Sequence, residues 1–277
     1  MSYVHIGESN GLAIRAILLK VERAYDQTKL LASLQTEYVE AKPRPYRVDP
    51  SIQSNLAEHI FRLRFDSPIP LDFSILFGEI IYNLRSAIDQ CVFQLALDKT
   101  GVEHDKTMFP IFKDPGEFRR FGEWRIKDIG DGPKAFIKSL QPYSDRSLPV
   151  HDSLLDLNNL SNADKHRVAH LWGFSFGLNE TKVATGATVI PTGINKVLHD
   201  GAEICRVIPK FPTDKMQVRG SLLAVLTVAN PVPDRRVSIN LWNIVADVRC
   251  LVYALLGALG QQDEPIEVEW PPHEVLG

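Results

Sequence analysis

The sequence predicts an α+β fold: a helical bundle of about four long helices with an antiparallel β-sheet inserted before the last helix. Two observations carry this reading. Apolar residues recur at helical spacing over four long stretches, Leu12–Glu40, Leu71–Thr100, His151–Trp172 and Val237–Leu259. Between Trp172 and Asn230 the period changes to two, with Val, Ile, Thr and Phe set between turn residues. No linker separates these segments, so a single domain is expected over residues 1–277. Its helical part would occupy 12–172 and 237–260, its β-rich insertion 173–232 and a flexible tail 261–277.

The first helical stripe runs through Leu12, Ala16, Leu19, Ala24, Leu30, Leu31 and Leu34, with Ser9 or Asn10 as candidate cap. AKPRPYRVDP ends it, because Pro43, Pro45 and Pro50 each remove a donor and fix φ. Glu58–Phe65 reads as a strand, with Ile60, Leu63 and Phe65 set against Arg62 and Arg64; Phe61 interrupts the alternation. In Leu71–Thr100, Ile80, Ile81, Leu84, Ile88, Cys91 and Val92 share one broad face. Tyr82 and Phe93 lie on the opposite flank among Glu79, Asn83, Ser86, Gln90 and Gln94, which implies that this second face is also covered. Gly101 is the expected stop.

Met108–Phe112 reads as a surface strand or a tucked loop, and DPGEFRRFGEWRIKDIGDG as irregular structure or short helices. Pro133–Leu140 fits one helix with Pro133 in its first turn. In His151–Trp172 apolar positions flank a polar centre, NNLSNADKHR, where Asn162 or Asp164 interrupts the helix or caps its second half. GFSFGL, TKVATGATVI, AEICRVIPK and QVRGSLLAVLTV supply three to five strands. Val237–Leu259 then buries Ile244, Val248, Leu251, Val252, Leu255 and Leu256.

Composition narrows the class. The 277 residues are 44% hydrophobic and 23% charged, with a net charge of −3. These are globular values, and the slight acidity argues against a double-stranded DNA binder held by a broad basic face. No basic segment followed by an apolar stretch opens the chain, and the longest apolar run, Leu251–Gly260, is too short to span a bilayer. Cys91, Cys205 and Cys250 are too few and too scattered for a disulfide framework. A cytoplasmic location without a membrane anchor is expected.

Two polar clusters stand inside apolar patterns. In YNLRSAIDQ, Arg85 and Asp89 have the spacing of a helix-surface ion pair, with Asn83 and Gln90 beside them. In NNLSNADKHRVAH, Asn159, Asp164, Lys165, His166, Arg167 and His170 gather hydrogen-bonding and titratable groups. Asp164 suits a helix start; His166 titrates near neutrality, and Arg167 has the geometry to hold a phosphate. His166 and His170 have a metal-ligand spacing, but no Glu follows the first His and no third ligand is identifiable, so no metal is assigned. No cofactor is implied either: GxGxxG, GxxxxGK[ST], GxSxG and CxxC are all missing. RRFGEWRIK, Arg119–Lys127, interleaves Phe121 and Trp124 with cations, a composition that suits stacking on single-stranded nucleic acid and equally a partly buried loop.

Three pieces in order, GEIIYNLRSAIDQCVFQLA, FPIF followed by SLQPY, and LNNLSNADKHR, resemble a bacterial, mostly actinobacterial, protein family that brings no established activity. In that family the first motif often reads NLRSALDH. An Arg followed by His at that spacing is similar to the R-x(4–6)-H motif of HEPN domains, helical bundles that often dimerise and include metal-independent RNases of toxin and defence systems. Here Arg85 matches and Gln90 stands in place of the His, and Gln cannot do acid–base work.

Two functions are therefore expected. One is a non-catalytic binding module for a second copy of itself, a protein or RNA. The other is a metal-independent RNase or phosphoryl-transfer enzyme with Arg85, Asp89, His166 and Arg167 as catalytic groups.

Overall fold

The structure is a computed structural model that describes residues 3–52, 57–144, 148–166, 172–177, 187–192, 200–211, 221–228, 240–260 and 262–270. It is α+β with an antiparallel sheet. The helices are α1 (Tyr3–Glu40), α2 (Leu71–Thr100), α3 (Pro115–Glu117), α4 (Asp131–Ser139), α5 (Val150–His166) and α6 (Leu241–Gly257). The strands are β1 (Tyr46–Ile52), β2 (His59–Phe65), β3 (Trp172–Gly177), β4 (Thr188–Pro191), β5 (Glu203–Ile208) and β6 (Ser221–Val228). The chain packs as two compact units: Met1–Thr28, Leu76–Arg167 and Leu241–Gly277 form the first, Lys29–Ile75 and Val168–Asn240 the second.

The first unit is helical. α2 supplies its centre: Phe77, Ile80, Ile81, Leu84, Ile88, Cys91, Val92 and Leu95 are all fully buried, as three- and four-residue spacing dictates. Each such side chain contributes about 1.5–3 kcal/mol of burial. α6 buries Ile244, Val245, Val248, Leu251, Val252 and Leu255 at the same spacing. Gly101 ends α2 with φ of 72°, and its N–H donates to Leu97 O at 2.8 Å, a conformation that favours glycine. The second face of α2 is only partly covered. Gln27 of α1 donates to Glu79, and Lys20 donates to Ser86 Oγ at 2.6 Å, while Tyr82 stays 62% exposed.

The segment after α2 is tucked in rather than stranded: Phe109 and Ile111 are buried. Gln141 holds it, accepting from Phe112 N–H at 3.0 Å and donating to Pro110 O and Ile137 O at 2.8 and 3.0 Å. α3, with Asp114 as its N-cap, runs into a π turn, Phe118–Gly122, and a 3₁₀ turn, Glu123–Ile126. Phe118 anchors this run edge-on between Phe112 and Tyr143.

The second unit holds the sheet, in strand order β1-β2-β5-β4, all neighbours antiparallel; β3 and β6 form a separate pair. Val39, Tyr46, Phe61, Leu63, Ile204, Cys205 and Val207 make its core. The opposite face of β2 carries Arg62 and Arg64. Arg64 reaches Asp200 at 3.1 Å, and Arg206 bridges Glu203 and Glu58 at 2.6 and 3.2 Å.

Several sequence expectations need correction. α1 starts at Tyr3, so Ser9 and Asn10 lie inside the helix and do not cap it. The sheet is not confined to the segment before α6, because β1 and β2 form half of it. β1 was hidden by its prolines; it is an edge strand, and Pro50 needs no partner on its outer side. In β2 the inward set is His59, Phe61 and Leu63, while Ile60 falls with the arginines; Phe61 is the regular inward residue, not the interruption. α5 runs unbroken from Val150 to His166, so neither Asn162 nor Asp164 interrupts it or caps a second half, and Trp172 opens β3. Gln262, placed by the sequence in a flexible tail, is buried: it donates to Leu95 O and Asp98 and accepts from Gly130 N–H at 2.7 Å.

Candidate functional site

Arg85 and Asp89 sit one turn apart on α2 and form a bidentate pair, with Nε and Nη2 of Arg85 at 3.2 and 2.8 Å from the carboxylate. Each also grips the same residue of the following segment. Arg85 Nη2 donates to Phe109 O at 2.7 Å, and Asp89 accepts from Phe109 N–H at 3.0 Å. The pair is therefore a clip that fixes residue 109 onto α2. The Arg85 side chain is only 12% exposed, and its Nη1 is buried without a hydrogen-bond partner among the described residues. Arg125 lies nearby, its guanidinium over the rings of Phe112 and Trp124 at 5.4 and 5.7 Å. Burial, then the charge of Arg85, holds Arg125 below the usual guanidinium range.

A cleft of about 300 Å³ opens over this clip, lined by Tyr82, Arg85, Ser86, Asp89, Gln90, Phe93, Thr107 and Ser161. Helical spacing explains the α2 contribution, since positions 82, 86, 89 or 90, and 93 recur on one stripe. Thr107 comes from the loop beyond Gly101, and Ser161 from α5. A second cleft of about 380 Å³ shares Thr107 and is bounded by Glu103, His104, Asp105, Lys106, Trp124, Lys127 and Asp128. Both clefts belong to the first unit.

Beside the second cleft, Phe121 and Trp124 are 42% and 39% exposed. Arg120 lies 4.8 Å from the Phe121 ring, and Lys106 lies 6.0 Å from the Trp124 ring. Among the described residues, Lys106, Arg119, Arg120 and Arg125 enter no ion pair, whereas Glu123 is tied to Lys138 at 3.1 Å and Asp128 faces His104 and Lys127.

The sequence-selected residues divide as follows. Arg85, Asp89 and Gln90 line the first cleft. Asn83 does not; it donates to Gln27 Oε1 at 3.2 Å and ties α2 to α1. Asn159 is half-buried on α5. Asp164 packs its carboxylate against Gly78 of α2, one turn along α5 from Ser161. Lys165 and His166 belong to the last turn of α5, but their side chains, together with Arg167 and His170, lie outside the described residues. Sequence reasoning missed Thr107 and Ser161. Neither carries a local signal, because each reaches the cleft only through the tertiary placement of its loop or helix.

Thiol chemistry finds no support here. Burial pushes the Cys205 thiol up to about 11 and raises Cys91 and Cys250 as well, so all three resist forming the thiolate near neutral pH. No group of three or more His, Cys, Asp or Glu side chains suited to a metal ion occurs among the described residues. No helix among the described residues is long and apolar enough to cross a membrane. Comparison with protein-family models, with curated proteins and with solved structures finds no match to this chain.

Proposed function

We propose that this chain is a binding module for single-stranded RNA rather than a catalyst. The observation that carries the reading is the pair of half-exposed rings, Phe121 and Trp124, each beside a cation, with Trp124 lining the second cleft, which shares Thr107 with the first. Exposed rings stack on bases whatever their identity, and Lys and Arg beside them attract the phosphates. The single-stranded form is favoured because stacking needs bases free of a duplex. Arg85 and Asp89 weigh against catalysis, since both spend their hydrogen bonds on each other and on the Phe109 backbone.

Fluorescence anisotropy with a labelled oligoribonucleotide tests this at several salt concentrations. Binding should weaken as salt rises, and a Phe121→Ala/Trp124→Ala variant should bind at least about tenfold more weakly. No binding at about 100 µM RNA in low salt overturns the reading.

A metal-independent RNase remains the second reading, supported by the position of α5. Ser161 and Asp164 lie along α2, so the last turn of α5, which carries His166, follows the same helix. Cleavage of the bound oligonucleotide that a His166→Ala variant abolishes would favour this reading over the first.

A further inference from the structure

We propose that the cleft over the Arg85–Asp89 clip is a pocket for a single adenine base. This rests on the RNA-binding reading and adds a specificity element to it. The cleft, at about 300 Å³, is at the small end of ligand pockets, a size for one ring system rather than a chain. Tyr82 and Phe93 line it, and aromatic rings are surfaces on which a base stacks. Gln90 lines it too, and its side-chain amide makes no hydrogen bond among the described residues. The hydroxyls of Thr107 and Ser161 line the same space and also make none. Polar side chains that converge without partners on an aromatic-walled cleft are complementary to a polar ring.

Gln90 selects the base. Its amide presents one donor beside one acceptor, the pattern that matches adenine at N6 and N7. Guanine is read best by a bidentate Arg. Arg85 is unsuited to that task, because Nε and Nη2 are committed to Asp89 and Phe109 O and Nη1 is buried. The base can be presented by an RNA strand or by a free adenine nucleotide, since both carry the same edge.

The test compares oligouridylate, the same strand with one central adenosine, and that strand with purine riboside, which lacks N6, at the central position. AMP serves as the free nucleotide. The adenosine strand should bind about tenfold or more tightly than oligouridylate, and the purine riboside strand should lose most of that gain. Gln90→Ala should erase the preference for the adenosine strand over oligouridylate; the purine riboside arm stands even where that variant folds poorly. Equal affinity for all three strands overturns the adenine pocket and leaves RNA binding intact. Binding of AMP without any strand keeps the pocket and overturns the RNA reading. An unaltered preference in folded Gln90→Ala overturns the role of Gln90.

Discussion

The carboxylate of Asp164 rests against the bare Cα of Gly78: a Cβ built on Gly78 would stand 2.9 Å from Asp164 Oδ1 and 3.3 Å from its Cγ. This contact joins the polar centre of α5 to α2 within the first unit. Glycine inside a long helix otherwise costs about 1 kcal/mol against alanine. Gly78→Ala should therefore be close to neutral or mildly destabilising by itself, because the propensity gain is offset by displacement of Asp164. In an Asp164→Ala background the same change should stabilise by about 1 kcal/mol. Urea denaturation of the four-member cycle measures the coupling; strict additivity would show that the two residues do not touch.

Asp89 accepts from Nε and Nη2 of Arg85 and from Phe109 N–H. Asp89→Ala leaves a nearly buried guanidinium uncompensated and should cost about 3 kcal/mol. The double variant Arg85→Ala/Asp89→Ala should cost less than Asp89→Ala alone, because it removes the stranded charge along with its partner. Hydrogen exchange should show lost protection at the Phe109 amide in both variants.

His59 is fully buried in β2, and neither ring nitrogen finds a hydrogen-bond partner among the described residues. An unsatisfied buried polar group is costly, so His59→Leu should raise stability by about 1 kcal/mol. Thermal or urea unfolding checks this, and a clear loss of stability would mean that the imidazole is paired after all.

Glu203 is held below its ordinary carboxylate range, first by the hydrogen bond from Arg206. Asp200 is held low by Phe65 N–H and then by Arg64. A folded-state pKa below the unfolded value adds stability that is in place above the unfolded value, 4.5 for Glu and 3.8 for Asp, and is lost as pH falls through the folded one. The denaturation midpoint should therefore fall on acidification from neutral pH through this range. Glu203→Gln should flatten that decline, and an unaltered pH profile in the variant would contradict the link.

Much of the helical unit was legible in the sequence because its signals are local. The α2 boundaries follow from periodicity and from Gly101, and the Arg85–Asp89 pair from four-residue spacing. β1 was not legible, since Pro43, Pro45 and Pro50 signal a break and only an edge position reconciles Pro50 with a strand. The inward face of β2 was misassigned because buried His59 looks polar in sequence, which shifted the apparent alternation toward Ile60. The clip onto Phe109 and the gathering of Thr107 and Ser161 depend on chain reversals that no residue spacing encodes. The burial of Gln262 likewise depends on α2 and the Gly130 loop, more than a hundred residues away in sequence.

The interleaving of the two units fixes an order of events during synthesis. The second unit draws its last segment from Val168–Asn240, whereas the first needs Leu241–Gly257, near the end of the chain. As the polypeptide leaves the ribosome, the sheet has all its strands before α5 receives the late α6 segment that packs against it. Until then α5 lacks that partner, so the helical unit is completed only after the sheet.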